Sequence, residues 1–241
     1  MKDIIKEVVD NVFVLALWDE NFKSYVNAYL VKNDGKWILI DSGTKDLADR
    51  LKSLLHQINV EADDIDTILH THGHYDHIGA SVAFKNASLY LHQNDLTFVE
   101  PQSVSLYKTD IIDGALRLGF DCQVLDHHTP GSILLFHRQS KVLFCGDFVC
   151  FFGDPIPDDG IVSSLQYPRK IAYDFYSQMA KDPKMRETTK FEPYSHFLEG
   201  LRKMSGYSPR ALCTGHGTVI LHEIDDFLTE LHKCASENIV Y

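Results

Sequence analysis

The sequence predicts an α/β fold in which β-sheets are covered by helices on their outer faces. Short apolar segments typical of strands alternate with segments of helical periodicity in both halves of the chain. With 241 residues, of which 44% are hydrophobic and 24% charged, the chain is long enough to bury a sizeable core. Its apolar runs are too short to span a bilayer, so we expect no membrane partner.

The first half of the chain predicts a series of strands and one long helix. Leucines recur at helical spacing between residues 47 and 58, and Thr44 precedes them as a candidate N-cap. Asp34 and Gly35 accept the positive φ of a tight turn and therefore indicate a hairpin. The predicted strands cover residues 12–17, 26–31, 37–40, 65–69 and 88–91.

The second half predicts strands at residues 133–136, 142–145 and 211–214, followed by a helix with Ile224 and Leu231 on one face. Between residues 148 and 193 the pattern is looser. We predict loops at residues 153–160 and 181–192 and a helix at about 168–179, with Pro168 near its first turn. We expect a single domain over residues 1–241, with an insert or lid at about 148–193.

Charge and cysteine content exclude some classes of function. The formal net charge of −11 disfavours nucleic acid, because phosphate contacts require a positive protein surface. Five cysteines without a C-x-x-C pair argue against a disulfide framework and favour a reducing cytoplasm. The N-terminal residues mix charged with apolar side chains, unlike a secretory signal.

The most informative segment lies between residues 71 and 77. His72, His74, Asp76 and His77 fall within six residues, directly after an apolar predicted strand. Imidazole and carboxylate groups bind zinc, iron or manganese when several of them converge on one point. This spacing therefore predicts a metal site in the loop that leaves the strand.

Three further candidate ligands stand beside predicted strands later in the chain. His128 precedes one strand, Asp147 ends another, and His216 follows a third between two glycines. A single histidine is more often a structural residue, and a single aspartate after a strand is often a turn former. Seven such residues beside strand ends favour a metal centre instead.

In their order along the chain, these motifs resemble those of the metallo-β-lactamase superfamily. The matching motifs are D-S-G at residues 41–43, H-x-H-x-D-H at 72–77, H-T-P-G-S at 128–132, G-D at 146–147 and G-H-G at 215–217. The resemblance implies an αβ/βα sandwich of two mixed β-sheets with helices on the outer faces. It also implies a site for two metals at the loop ends of the sheets.

The resemblance assigns a role to each candidate ligand. It implies a first metal held by His72, His74 and His128, a second held by Asp76, His77 and His216, and Asp147 bridging both. Asp41 would support the site without binding metal. His127 competes with His128, but the Thr-Pro-Gly sequence that follows favours His128. We expect a structural role for His70.

Two divalent ions, about 3.5–4 Å apart, would share a water and lower its pKa to near 7, which yields a bridging hydroxide as nucleophile. Asp147 as bridge and Asp76 as proton relay are therefore the candidate catalytic residues. Zinc is the favoured metal, with iron and manganese as alternatives. We expect a hydrolase that acts on a small ester, lactone or thioester with an apolar part, and a homo-oligomer is compatible with the sequence.

The region that follows Asp147 is rich in phenylalanine and tyrosine, and it allows two interpretations. These side chains could form a lid that supplies an aromatic wall to a substrate pocket. They could equally pack a helix onto the sandwich, because aromatic residues dominate ordinary cores. The residues concerned are Phe148, Phe151, Phe152, Tyr167, Tyr173, Phe175, Tyr176, Phe191, Tyr194 and Phe197.

Other activities of related proteins remain alternatives at this stage. A persulfide dioxygenase with this fold would bind one Fe(II) through His72, His128 and Asp147. Flavodiiron proteins generally have Glu at the position of His74 and carry a fused flavin domain, for which 241 residues leave no room. A phosphodiesterase or nuclease is disfavoured because basic residues are sparse near the motifs, and a purely structural metal role would require closed coordination shells.

Overall fold

A computed structural model describes residues 1–111, 113–114, 116–237 and 239–240. Within these residues the chain forms two mixed seven-stranded sheets. In the first sheet the strands follow their order along the chain; the pairs from β1 to β4 are antiparallel and those from β4 to β7 are parallel. Its strands are β1 (Ile4–Val9), β2 (Val12–Asp19), β3 (Ser24–Asn33), β4 (Lys36–Ile40), β5 (Ile65–Leu69), β6 (Ser88–Tyr90) and β7 (Tyr107–Lys108).

The second sheet has the order β12-β14-β13-β11-β10-β9-β8. Its parallel pairs are β12 with β14 and β11 with β13, and the other neighbours are antiparallel. Its strands are β8 (Leu116–Arg117), β9 (Phe120–Val124), β10 (Ile133–His137), β11 (Val142–Gly146), β12 (Val162–Ser163), β13 (Ala211–Thr214) and β14 (Val219–Leu221).

Six α-helices accompany the sheets in the described part of the chain. They are α1 (Ala48–His56), α2 (Tyr75–Ile78), α3 (Gln166–Lys181), α4 (Pro183–Thr188), α5 (Tyr194–Met204) and α6 (Ile224–Ser236). Further 3₁₀ helices occupy Lys45–Leu47, Ala62–Asp64, Ser81–Ala83, Gln93–Phe98 and Pro101–Leu106. Among the described residues, no helix combines the length and apolar character needed to cross a membrane.

Three layers of buried side chains make the predicted αβ/βα sandwich. Apolar residues such as Val14 and Ile40 from the first sheet meet Phe144 from the second sheet in a central layer. The leucines of α1 cover the other face of the first sheet. Helices α3, α5 and α6 cover the outer face of the second sheet. The sandwich of two mixed sheets with outer helices is therefore confirmed.

Some local predictions were wrong. The segment 181–192 is not only loop, because Asp182 accepts hydrogen bonds from Lys184 N and Met185 N and so begins α4. Thr44 precedes a 3₁₀ turn rather than α1 and makes no capping hydrogen bond through its side chain. The strands β1, β7, β8, β9, β12 and β14 and the helix α5 were not predicted.

The aromatic side chains that follow Asp147 mostly lie in the core under the outer helices. Phe148, Phe151, Tyr176 and Phe197 are buried there. Phe152 is the exception that bears on the site, since it is 49% exposed and lies beside His216. The packing interpretation thus holds for the buried rings, and a lid role remains a prediction for the exposed one.

Candidate metal centre

The candidate ligands lie in loops that leave the strand ends of both sheets. The first loop follows β5, and His74 is the N-cap of the short helix α2. Asp76 and His77 occupy the first turn of that helix. The second sheet contributes His128 from the β9–β10 loop, Asp147 directly after β11, and His216 directly after the short glycine link that follows β13. All seven predicted ligands therefore meet at the interface of the two sheets.

Three imidazoles form one group. The Nε2 atom of His72 lies 3.2 Å from Nδ1 of His74, and Nε2 of His128 lies 2.9 Å from the same Nδ1 atom. The ligand atoms of these residues lie within 4.8 Å of one another. His72 is buried, whereas the His128 side chain is 25% exposed. This group, called the three-histidine group below, is open to solvent on the His128 side.

The other four candidate ligands form a second group beside it. Nε2 of His216 lies 3.2 Å from Asp76 Oδ2 and 3.3 Å from Asp147 Oδ2. Nε2 of His77 lies 3.3 Å from Asp147 Oδ1. These four residues, whose ligand atoms also lie within 4.8 Å of one another, are called the two-carboxylate group below.

Asp147 lies between the two groups. Its Oδ2 atom is 3.6 Å from Nε2 of His128 and 4.0 Å from Nε2 of His72, in addition to its contact with His216. One carboxylate is therefore within reach of both groups. This is the position that a bridging ligand requires.

Unpaired polar atoms show that the residues fit a bound cation. Among the described residues, no hydrogen-bond partner exists for the buried atoms His77 Nε2, Asp147 Oδ1 and His216 Nε2. Leaving a buried polar atom unpaired costs about 1–3 kcal/mol, so such atoms call for an explanation. Imidazole nitrogen and carboxylate oxygen that converge in this way suit a divalent metal.

The second nitrogens of the histidines are held by the surrounding structure. Asp41 faces Nδ1 of His77 at 2.9 Å and accepts hydrogen bonds from the backbone and side chain of Thr71. Thr71 Oγ1 in turn faces Nδ1 of His72 at 3.1 Å. Contacts of this kind set the imidazole tautomer and direct the other nitrogen toward the metal. The predicted supporting position of Asp41 agrees with these contacts.

His216 is held by the first sheet, although it follows a strand of the second. Its Nδ1 atom donates to the carbonyl oxygen of Tyr25, at 3.0 Å. The Asn27 side chain donates to Thr214 O and Gly217 O, and Tyr29 Oη donates to Thr214 O. Hydrogen bonds from strand β3 thus hold the loop that carries His216 in place.

The two groups differ in charge when no metal is bound. Burial, with the charges of His77 and His128, lowers the pKa of His72 well below its usual value, and burial lowers the pKa of His128 to about 4. Burial also opposes the charged form of His216, but the nearby carboxylates of Asp147 and Asp76 outweigh it and raise that pKa to about 9. The same balance, set by Asp147 and Asp41, raises the pKa of His77.

We therefore expect metal uptake by the two-carboxylate group to release protons at neutral pH, because ligand imidazoles must be neutral. Its apparent affinity should rise as pH approaches about 9, whereas the three-histidine group is already neutral. Zinc titration calorimetry in buffers of different ionisation enthalpy measures this release. Uptake without proton release would contradict the charge difference.

The same shift affects the stability of the metal-free protein. An unfolded-state histidine has a pKa of about 6.5, below that of folded His216 at about 9. The stabilisation is fully present below about 6.5 and is lost as pH rises through the folded value. Chemical unfolding of metal-free protein should accordingly become easier between these two pH values.

The remaining histidines near the motifs have other roles. Nδ1 of His70 faces Tyr90 O at 2.8 Å and Nε2 faces Ser81 Oγ at 2.6 Å, which agrees with the predicted structural role. His127 is buried among aromatic rings, and its ring centre lies 4.6 Å from that of Phe191. The structure therefore places His128, and not His127, with the other candidate ligands.

One residue of the site was missed in the sequence. Asp95 is fully buried and accepts hydrogen bonds from Gly73 N, Thr129 Oγ1 and Gly131 N. Its surroundings, Gln93-Asn94-Asp95, look like an ordinary polar turn, and no motif marks them. Only the folded chain brings this carboxylate to the ligand loops.

Aromatic side chains flank the centre on two sides. The rings of Phe152 and Phe22 lie 4.7 and 6.4 Å from that of His216, and 5.8 Å from each other. In the three-histidine group the Phe98 ring lies 5.2 Å from that of His74. Phe98 and Tyr75 also line a cavity of about 110 Å³ together with Ile78, Val82 and Tyr107.

Comparison with known proteins points to the same family that the sequence motifs resemble. A sequence profile described as "Metallo-beta-lactamase superfamily" matches residues 22–91. The chain is 26% identical over 215 residues to the "Probable metallo-hydrolase YflN" of Bacillus subtilis, and the alignment covers 75% of each protein. The chain thus resembles the metallo-β-lactamase superfamily, with the profile match confined to residues 22–91. A "Probable metallo-hydrolase" of Methanocaldococcus jannaschii is 38% identical to this chain over 61 residues, which are 25% of this chain and 30% of the relative.

Solved structures agree with the metallo-β-lactamase fold. A flavoprotein from Thermotoga maritima superposes with a TM-score of 0.77 at 19% identity. The superposition covers 95% of this chain and 60% of the flavoprotein chain. At this identity the likeness concerns the fold alone. The matched regions thus span 60% of the flavoprotein chain and 30% of the Methanocaldococcus relative, both less than two thirds.

Proposed function

We propose that this protein is a metal-dependent hydrolase with a dinuclear centre that acts on a small ester, lactone or thioester. The observation that carries the proposal is the pair of adjacent ligand groups joined by Asp147. The three-histidine group and the two-carboxylate group would each hold one divalent cation. The likeness to one probable metallo-hydrolase over three quarters of the chain supports the same reaction class.

Bound at these positions, two divalent cations would lower the pKa of a shared water and polarise the bond that is attacked. The protein would supply the acceptor for the proton of that water. Asp76 is suited to this role because its side chain is 13% exposed at the edge of the cluster. Burial acts to raise its pKa, but contact with His216 and the charges of His77 and His216 outweigh that effect and keep it ionised.

The surroundings favour a substrate with an apolar part. The flanking rings of Phe22, Phe152 and Phe98 present apolar surface on both sides of the ligands. The neighbouring cavity is of a size to take a short acyl or alkyl group, since a cavity of about 150 Å³ can hold benzene. The formal charge of −11 disfavours a phosphate-rich substrate.

Metal content and activity together test the proposal. Freshly purified protein should contain two equivalents of divalent metal, with zinc favoured over iron or manganese. It should hydrolyse members of a panel of carboxylic esters, lactones and thioesters faster than phosphodiesters, and lose this activity on treatment with a chelator. Metal-loaded protein that is inactive on the whole panel would count against hydrolysis.

A single-iron persulfide dioxygenase is the alternative that the geometry permits. It would use His72, His128 and Asp147, whose ligand atoms lie 3.6–4.0 Å apart across the two groups. This arrangement leaves the unpaired nitrogens of His77 and His216 without a role. One iron per chain together with persulfide-dependent oxygen uptake would favour the dioxygenase over the hydrolase.

A further inference from the structure

The three histidines of the first group come from two separate loops. His72 and His74 follow β5, whereas His128 lies in the β9–β10 loop of the other sheet. Outer contacts orient metal ligands, and losing one of them typically weakens metal binding. The question is therefore which contact joins these two loops.

The Asp95 carboxylate accepts hydrogen bonds from both loops. Asp95, in the 3₁₀ helix Gln93–Phe98, accepts a hydrogen bond of 2.7 Å from Gly73 N, between His72 and His74. Thr129, the residue after His128, donates a hydrogen bond from Oγ1 to Asp95 at 2.6 Å. Gly131 N also donates to it, at 2.7 Å. Both ligand loops thus converge on one fully buried side chain.

The close fit explains two glycines of the motifs. A Cβ atom on Gly73 would lie 2.9 Å from Cβ of Asp95, and one on Gly131 would lie 2.6 Å from its Cγ atom. Neither position has room for a side chain while the carboxylate stays in place. Glycine allows backbone to approach this closely, so the shape of both loops is adapted to Asp95.

The charge of Asp95 matters as well as its shape. Hydrogen bonds that end on a carboxylate are roughly twice as strong as neutral ones. Gly73 N and Thr129 Oγ1 share Oδ2, and Gly131 N uses Oδ1, so both oxygens are engaged as acceptors. An amide in place of the carboxylate would turn one of these oxygens into a donor that faces another donor.

We propose that Asp95 is the positioning residue of the three-histidine group. It holds His128 at the distance from His72 and His74 that a cation needs, and it does not contact the cation. This inference rests on the metal sites proposed above. It predicts that loss of the Asp95 charge weakens the three-histidine group and largely spares the two-carboxylate group, which is oriented by Asp41 and by β3.

The test isolates each group in turn. In a His216→Ala background the three-histidine group is complete, and Asp95→Asn should weaken zinc binding by about 10- to 100-fold, the usual effect of losing such a contact. In a His128→Ala background the two-carboxylate group is complete, and Asp95→Asn should change zinc affinity by less than about 3-fold. Competition with a chromophoric chelator measures both affinities, and neither measurement depends on hydrolysis.

Matched variants separate positioning from general stability. Asp3→Asn removes a carboxylate that accepts hydrogen bonds from Trp18 N and Arg50, neither of which is a candidate ligand, so it should lower stability without changing zinc affinity. Thr129→Val should reproduce part of the effect of Asp95→Asn, and Thr129→Ser, which keeps the hydroxyl, should restore it. The backbone bond from Ile133 N to Thr71 O remains in all these variants and supports folding.

Equal weakening of both groups by Asp95→Asn, or an effect no larger than that of Asp3→Asn, would overturn the proposal. An unchanged zinc affinity when Asp95→Asn is added to the His216→Ala background would overturn it too. If the protein binds two metals as described but hydrolyses nothing, the proposed function fails while the positioning role of Asp95 stands.

Discussion

Replacing Asp147 by alanine should remove at least one equivalent of metal and nearly all turnover. Its carboxylate lies between both ligand groups, so its loss removes a candidate ligand from each and leaves His77 and His216 with only Asp41 and Asp76, among the described residues, as counter-charges. Because loss of an outer contact already costs about 10- to 100-fold in metal affinity or activity, loss of this ligand should exceed 100-fold. Elemental analysis and steady-state hydrolysis provide the measurement.

The control for this variant is Asp158→Ala, which removes an exposed carboxylate from the 153–160 loop. It should keep both equivalents of metal and its turnover. The metal-free Asp147→Ala protein should still fold, since the carboxylate follows β11 and does not pair within the sheet. Full metal content in folded Asp147→Ala would refute the bridging assignment.

Replacing Phe197 by alanine should destabilise the protein by about 3–5 kcal/mol, the range for large aromatic-to-alanine changes in a core. The Phe197 ring is fully buried and stacks on Tyr176 with centres 4.7 Å apart, and it contacts Phe148 and Phe191 at 5.1 Å. Removing it would leave a cavity under α3 and α5. Urea unfolding monitored by circular dichroism measures the loss.

Phe152→Ala is the matched comparison, because this ring belongs to the same segment but is 49% exposed. Its effect on stability should stay within about 0.5 kcal/mol. A change in kcat/KM for substrates with longer acyl groups would instead identify it as part of a substrate wall. If both variants altered only stability, the lid interpretation of the segment would fail.

A residue of this site can be predicted from the sequence when a short motif or an adjacent strand marks it. His72, His74, Asp76 and His77 stand in one short motif, and Asp147 and His216 each follow a recognisable strand, so all could be found as candidates. His127 and His128 are neighbours with the same chemistry. The Thr-Pro-Gly sequence that follows favours His128, and in the structure the His127 ring packs against Phe191 and Phe197 instead.

The missed elements share a physical cause. Strand β14 has only three residues, too few to be predicted from its sequence pattern. Its pairing with β13 and β12 is what makes it a strand. Helix α5 follows a proline and contains Gly200, which lowers its helical propensity, yet its buried face packs on the second sheet. Asp95 was missed for the same reason: its partners are distant in sequence, and tertiary contacts decide its role.

The hydrogen bonds by which β3 holds the His216 loop have a consequence for biosynthesis. The contacts from Asn27 and Tyr29 to Thr214 bridge more than 180 positions. During translation β3 emerges before the loop that it holds, by more than 180 residues. The proposed two-carboxylate group is therefore complete only after the His216 loop has been synthesised, so we expect its cation to bind late in folding.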